Sequence, residues 1–234
     1  MIVAQGLTKR IGSKQILKGI DFEIRPGEFV SCFGPNGAGK STTLKILALL
    51  SKPTDGELWI DGQKADTANP VLRRKIGVIS HNSLLYNNLT ARENLLFYGQ
   101  MYEVPHLNNR VAELLEDVGL VHVANDLVGT FSRGMQQRLS IARSLIHDPP
   151  ILLMDEPFTG LDEMAKHILN SILGKLSASK HTVFLITHNF DQGLEQSDQA
   201  LILVSGKIVF RCQPQNMTQE EFRQHYLASQ GAFK

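Results

Sequence analysis

One octapeptide constrains this chain more than any other feature: Gly34-Pro35-Asn36-Gly37-Ala38-Gly39-Lys40-Ser41. It follows Phe29-Val30-Ser31-Cys32-Phe33, a mostly apolar run that reads as a buried strand. It precedes Lys40 to Leu50, where Leu44, Leu47 and Leu50 recur at helical spacing. Strand, glycine-rich turn and helix in that order form the setting of a phosphate-binding loop. Glycines let successive backbone N–H groups turn inward around phosphate oxygens, and the helix points its positive end at the same anion. Lys40 supplies a mobile ammonium for the β- and γ-phosphates, and the Ser41 hydroxyl suits Mg²⁺. Thr42, next along the helix, is expected in the same nucleotide contact. A glycine turn that binds nothing is the competing reading, and the flanking elements argue against it.

The elements around this loop describe an α/β chain. Ile20–Ile24 and Glu57–Asp61 alternate with period two and are punctuated by Pro26-Gly27 and Asp61-Gly62, as antiparallel strands are. Ile76–Ile79, Ile151–Met154 and Thr182–Ile186 are short continuous apolar runs separated by helical stretches, which implies a parallel sheet covered on both faces. Between residues 84 and 148 the pattern turns helical, with Val111, Leu114, Leu115 and Val118 on one face and Leu139, Ala142, Leu145 and Ile146 on another. Leu201–Val204 and Lys207–Phe210 flank Ser205-Gly206 like a hairpin. One domain over residues 1–234 is therefore expected, with a core from 1–83 and 149–213, a helical insertion at 84–148 and a short helix or tail at 214–234.

Composition narrows the function. A net charge of +1 with no run of Lys or Arg offers no nucleic-acid footprint. The two cysteines, Cys32 and Cys212, lack CxxC spacing, so no disulfide framework is expected and a reducing compartment fits; no other histidine sits at metal-ligand spacing to His188, so a zinc role for it is not expected. Met1–Gly6 does not read as a secretory signal, and the longest apolar runs fall far short of the ~20 residues that span a bilayer. The expectation is a cytoplasmic protein that serves a membrane, if at all, through a partner.

Asp155-Glu156 ends the apolar run Ile151–Met154. The carboxyl ends of parallel strands line the ligand crevice, so both acids are expected at the nucleotide. Asp155 would hold Mg²⁺, and Glu156 would act as general base on the attacking water. An apolar strand ending in two acids is common, and the pair gains its meaning from the phosphate loop.

Together with Phe131-Ser132-Arg133-Gly134-Met135-Gln136-Gln137-Arg138, these residues resemble the ATP-binding subunits of ABC transporters, over almost the whole chain from Val3 to Phe210. The octet sits where that family carries its signature, Thr159-Gly160-Leu161-Asp162 resembles its D-loop, and Thr187-His188 resembles its switch histidine. The resemblance implies a P-loop NTPase core with an N-terminal antiparallel β subdomain and an inserted helical subdomain. It implies ATP and Mg²⁺ as cofactors, ATP hydrolysis, and a homodimer or heterodimer around two ATP. In such a pair Ser132, Arg133, Gly134, Met135 and Gln136 meet the nucleotide of the other subunit. It implies further that Gly160, Leu161 and Asp162 act as the D-loop, that His188 contacts the γ-phosphate and Glu156, and that the chain lies on the inner face of the cell membrane against integral membrane subunits, with no nucleic acid.

Departures from the family pattern stand out. The position of the adenine-stacking aromatic holds Ile11, the first signature glycine is Arg133 and the signature glutamine is Met135. The Q-loop glutamine position holds His81, or Asn82 if the alignment shifts by one residue, and the resemblance places His81 among the metal-site residues with Ser41 and Asp155. The stretch Ser80–Tyr98 is most similar to haem-exporter subunits of cytochrome c maturation, and also to drug and lipid exporters. A soluble ABC ATPase acting on a nucleic-acid or protein partner is the alternative function. A small-molecule kinase would share the loop but has no use for the signature.

Overall fold

The structure, a computed structural model, describes residues 2–80, 83–161 and 163–231. Strands β1 (Ile2–Ile11), β2 (Lys14–Ile24), β4 (Asp55–Ile60) and β5 (Gln63–Lys64) form an antiparallel sheet in the order β2-β1-β4-β5. The second sheet contains β3 (Phe29–Phe33), β6 (Ile76–Ile79), β7 (Ile151–Asp155), β8 (Thr182–Ile186), β9 (Gln199–Val204) and β10 (Lys207–Cys212), ordered β10-β9-β3-β8-β7-β6. All pairings in it are parallel except β10 with β9. The expected α/β architecture, with a separate N-terminal antiparallel sheet, is therefore the one observed. The central strands β3, β7 and β8 are buried along their whole length, which explains why they read as continuous apolar runs.

Helix α1 (Lys40–Leu47) follows β3 and packs under both sheets. It stops three residues short of the expected Leu50. Leu49 takes a left-handed φ of 58°, and the N–H groups of Leu50 and Ser51 both donate to the Lys45 carbonyl, closing the helix without a glycine. A short helix the sequence reading did not anticipate, α2 (Pro70–Arg74), is capped by Asn69, whose side chain accepts from Val71 and Leu72.

Between β6 and β7 lie α3 (Ala91–Met101), α4 (Leu107–Asp117) and α5 (Arg133–Leu145). Their apolar faces meet α6 (Glu163–Ala178) and one face of the parallel sheet in a single cluster that includes Leu95, Leu114, Leu139, Leu152 and Leu173. Arg143 ties α5 to the sheet, donating to the Val78 carbonyl at 2.8 Å while its guanidinium lies over the Tyr98 ring. Helix α7 (Phe190–Glu195) and helix α8 (Gln219–Gly231) cover the far edge, where Phe222 packs against Phe33 and Phe190. Among the described residues no helix is long and apolar enough to cross a membrane.

Candidate functional site

The phosphate loop runs from the end of β3 into α1, and its path is imposed by its neighbours. Gly39 has φ 111°, and a Cβ there would lie 2.7 Å from Leu17 Cδ2. A Cβ on Gly34 would run into the Leu203 carbonyl of β9. Any side chain at either position would force the loop off this path, so the loop can lie flat against β2 and β9 only as glycine. The β9–β10 turn clasps it from outside, since Gly206 N–H donates to the Ala38 carbonyl at 2.9 Å. Asn36 and Gly37 are exposed, Pro35 and Thr42 half-buried, and Ser41 exposed at the start of α1.

Lys40 is buried, and its Nζ donates to the Gly34 and Pro35 carbonyls at 2.6 and 3.0 Å. The ammonium thus curls over the cradle, held by two neutral acceptors that a phosphate, with its formal charge, would outcompete. Cys32, one strand position before Phe33, is inert: burial pushes its thiol up to about 12, with Lys40 pulling down and Asp155 pushing up by smaller amounts.

Asp155 ends β7 and is 6% exposed; it lines a cleft of ≈ 330 Å³ together with Ser41 and Ser80. A hydroxyl and a carboxylate converging beside a phosphate cradle are oxygen donors that suit Mg²⁺. His81, the third residue expected there, lies outside the described residues, as does Asp162 of the D-loop.

Glu156 leaves the strand with φ 52°, a left-handed conformation for a non-glycine residue. Its N–H donates to the Ile186 carbonyl at 2.9 Å, which pins it to β8. The carboxylate meets His188 at 2.7 Å from Oε2 to Nδ1, bringing together two residues 32 positions apart. The His188 side chain is otherwise largely exposed. Glu156 also faces a cavity of ≈ 300 Å³ lined by Ser80, Ser83, Arg133, Gln136, Gln137 and Thr159. Gln137, Thr159, Ser80 and Ser83 entered the sequence reading only as members of their motifs, with no site role of their own, since only the fold brings α5 across the end of β7.

The expected signature segment opens α5. Ser132 caps it, its Oγ accepting from Met135 N–H at 3.2 Å. Two of its members turn inward: the Gln136 amide donates to the Val128 and Phe131 carbonyls, and the Met135 side chain packs on the helical core. Gly160 takes φ 76° and Leu161 is buried, so the turn after Glu156 folds back onto its own subunit. Ile11 is 59% exposed at the tip of the β1–β2 hairpin and is not among the residues that line the cleft of Ser41 and Asp155.

A glycine cradle with a buried lysine, and beside it on the neighbouring strand ends a buried aspartate and a histidine-bonded glutamate, defines a P-loop nucleotide hydrolase. A family model described as ABC transporter matches residues 17–159. The chain is 34% identical over 223 residues to a Nod factor export ATP-binding protein of Ralstonia nicotianae, covering 94% of this chain and 70% of that protein. It is 37% identical over 212 residues to a probable sulfate/thiosulfate import ATP-binding protein of Chlorella vulgaris, covering 89% of each. Among solved structures, a dimeric ATP-binding cassette in a post-hydrolysis state with ADP and phosphate superimposes with a TM-score of 0.84 at 32% identity, covering 92% of this chain and 99% of that one. This chain belongs to the ABC transporter family. It binds ATP and is an ATPase.

Proposed function

We propose that the chain is the energy-supplying subunit of a membrane exporter, working as a nucleotide-bridged pair against separate membrane-spanning subunits on the inner face of the cell membrane. The observation that carries the catalytic half is the Glu156–His188 bond of 2.7 Å beside the phosphate loop. In this reading the Glu156 carboxylate accepts a proton from water as the water oxygen attacks the γ-phosphorus, and ADP departs as the bond to its bridging oxygen breaks. His188 orients the carboxylate through Nδ1 and offers Nε2 to the γ-phosphate. Ser41 and Asp155 would hold Mg²⁺, which neutralises phosphate charge when bound. The residues fit both groups, since the glycine cradle and the Ser41–Asp155 oxygens converge on one edge of the sheet.

The pairing follows from a mismatch within one subunit. The α1 N-terminus and the α5 N-terminus are each suited to an anion, and one nucleotide has one γ-phosphate. In a two-fold pair the exposed Ser132 hydroxyl and the Gly134 backbone of each subunit reach the ATP held by Lys40 of the other. Met135 and Gln136 then support this contact from inside α5.

The membrane half is supported by apolar side chains left open on the surface. Leu50 and Leu84 line the cleft and are exposed, and Tyr86, Phe97 and Met101 of the helical layer and its lead-in are exposed too, with Tyr86 and Phe97 in edge-to-face contact at 5.0 Å. Apolar surface of this kind fits a partner protein. Export rather than import is favoured by the likeness of residues 80–98 to exporters, and haem or another small lipophilic molecule is the cargo we propose. Affinity purification of the chain from detergent-solubilised membranes tests the assignment. An integral membrane protein recovered in stoichiometric amount is expected, and recovery of nucleic acid or of a soluble partner alone would reject it.

A further inference from the structure

We infer that Arg133 is a positioning residue for Glu156 that acts within its own subunit. It rests on Glu156 being the general base, and it separates Arg133 from the signature residues proposed to reach across the pair.

Arg133 is the first residue of α5, where a cation opposes the helix dipole, so helix stability does not account for it. Among the described residues no carboxylate pairs with it. Its guanidinium lies instead on Gly160: a Cβ at that glycine would sit 3.2 Å from both Cζ and Nε of Arg133. A Cβ at 160 would push the planar guanidinium off the bare backbone by a few tenths of an ångström, and Gly160 already needs its left-handed φ of 76°.

The turn beneath is the one that carries Glu156. Thr159 N–H donates to the Glu156 carbonyl at 3.1 Å, and Leu161 N–H donates to the Phe158 carbonyl. One turn further along α5, Gln137 Nε2 donates to the Pro157 carbonyl at 3.4 Å. Arg133 and Gln137 therefore grip the two ends of the 157–160 turn, and both line the cavity that Glu156 faces. Where the family resemblance places a glycine, this chain has a clamp between its signature helix and its general base. Motion of α5 on ATP binding or release is then passed directly to the glutamate.

Steady-state hydrolysis by the full chain tests this with Arg133→Ala and Arg133→Lys, alongside ATP-driven dimerisation in the Glu156→Gln background followed by light scattering. Arg133→Ala is expected to lower kcat about ten-fold with KM for ATP unchanged, as misplacement of a catalytic group does. Arg133→Lys is expected to stay near the alanine variant, because an ammonium cannot spread over Gly160. The Glu156→Gln and Glu156→Gln/Arg133→Ala proteins are expected to dimerise at the same MgATP concentration. An unchanged kcat, full recovery by lysine, or a several-fold higher ATP requirement for dimerisation would each overturn the proposal; the last would mean that the guanidinium meets the partner's nucleotide. Undiminished turnover by Glu156→Gln alone would remove the general-base reading itself, whatever Arg133→Ala does.

Discussion

Glu156 sits at φ 52°, and the left-handed region costs a non-glycine residue ~1–2 kcal/mol. The strain is tolerated because the bond to Ile186 fixes the backbone and aims the carboxylate away from β7. Replacement by glutamine is expected to keep ATP binding and cut hydrolysis by at least ~100-fold, since an amide cannot take the proton from water. Replacement by glycine is expected to abolish turnover while raising the free energy of urea unfolding by up to ~1 kcal/mol, because relief of strain exceeds the added chain entropy. A loss of stability instead would mean that the conformation is not strained. At the tip of the β1–β2 hairpin, Ile11→Tyr is expected to tighten ATP several-fold in a titration, the worth of ~1 kcal/mol of added stacking. Unaltered affinity would place the base elsewhere.

The helical layer shows how side chains hold a segment that has no secondary structure of its own. Asn94 on α3 is buried; its Oδ1 accepts from Tyr86 N–H at 2.8 Å, while its Nδ2 donates to the Tyr86 and Thr90 carbonyls. Thr90 and Glu93 complete a reciprocal cap at the same helix start. Asn94→Leu is expected to cost ~1–3 kcal/mol in urea denaturation, because it removes the partner of several half-buried backbone groups at once. A cost below ~0.5 kcal/mol, the range of an ordinary surface substitution, would show that water replaces the amide. At this scale the sequence was informative where the determinant is local. The phosphate loop, the Ser132 cap and the acid pair after β7 each depend on residues within a few positions of one another. It was silent where the determinant is tertiary. Nothing in Met135 or Gln136 says that they turn inward, and nothing in Arg133 and Gly160, 27 positions apart, announces a seat. The end of α1 was misread because Leu49 adopts the conformation usually signalled by glycine.

Over the whole molecule, the helical layer and the sheet meet around His147, which stacks on Tyr102 at 3.8 Å and borders the cleft that Ser41 and Asp155 line. Burial is the main reason its imidazole is held down at about 4 from an ordinary 6.5. The folded state therefore refuses a proton that the unfolded chain accepts below pH 6.5. This contribution is intact above that pH and declines as pH falls from 6.5 toward 4, by at most ~3 kcal/mol. His147→Phe keeps the stack and is expected to flatten this part of the stability profile measured by denaturation between pH 4 and 7. An equally steep profile would move the effect to other groups.

Strand β3, which delivers the phosphate loop, pairs with β8 on one side and β9 on the other, at Val183 and Gln199. The clasp on Ala38 comes from Gly206. A chain emerging from the ribosome thus displays its glycine loop some 165 residues before the part that rigidifies it has been made. Until then the loop is a loose peptide without a preformed anion nest, and MgATP gives a growing chain little help. Nucleotide becomes a folding aid only once β9 and β10 have been made and slot in beside β3. A ribosome-stalled chain ending before residue 199 is expected to remain as protease-sensitive with ATP as without it, whereas one extended well past residue 212 gains protection.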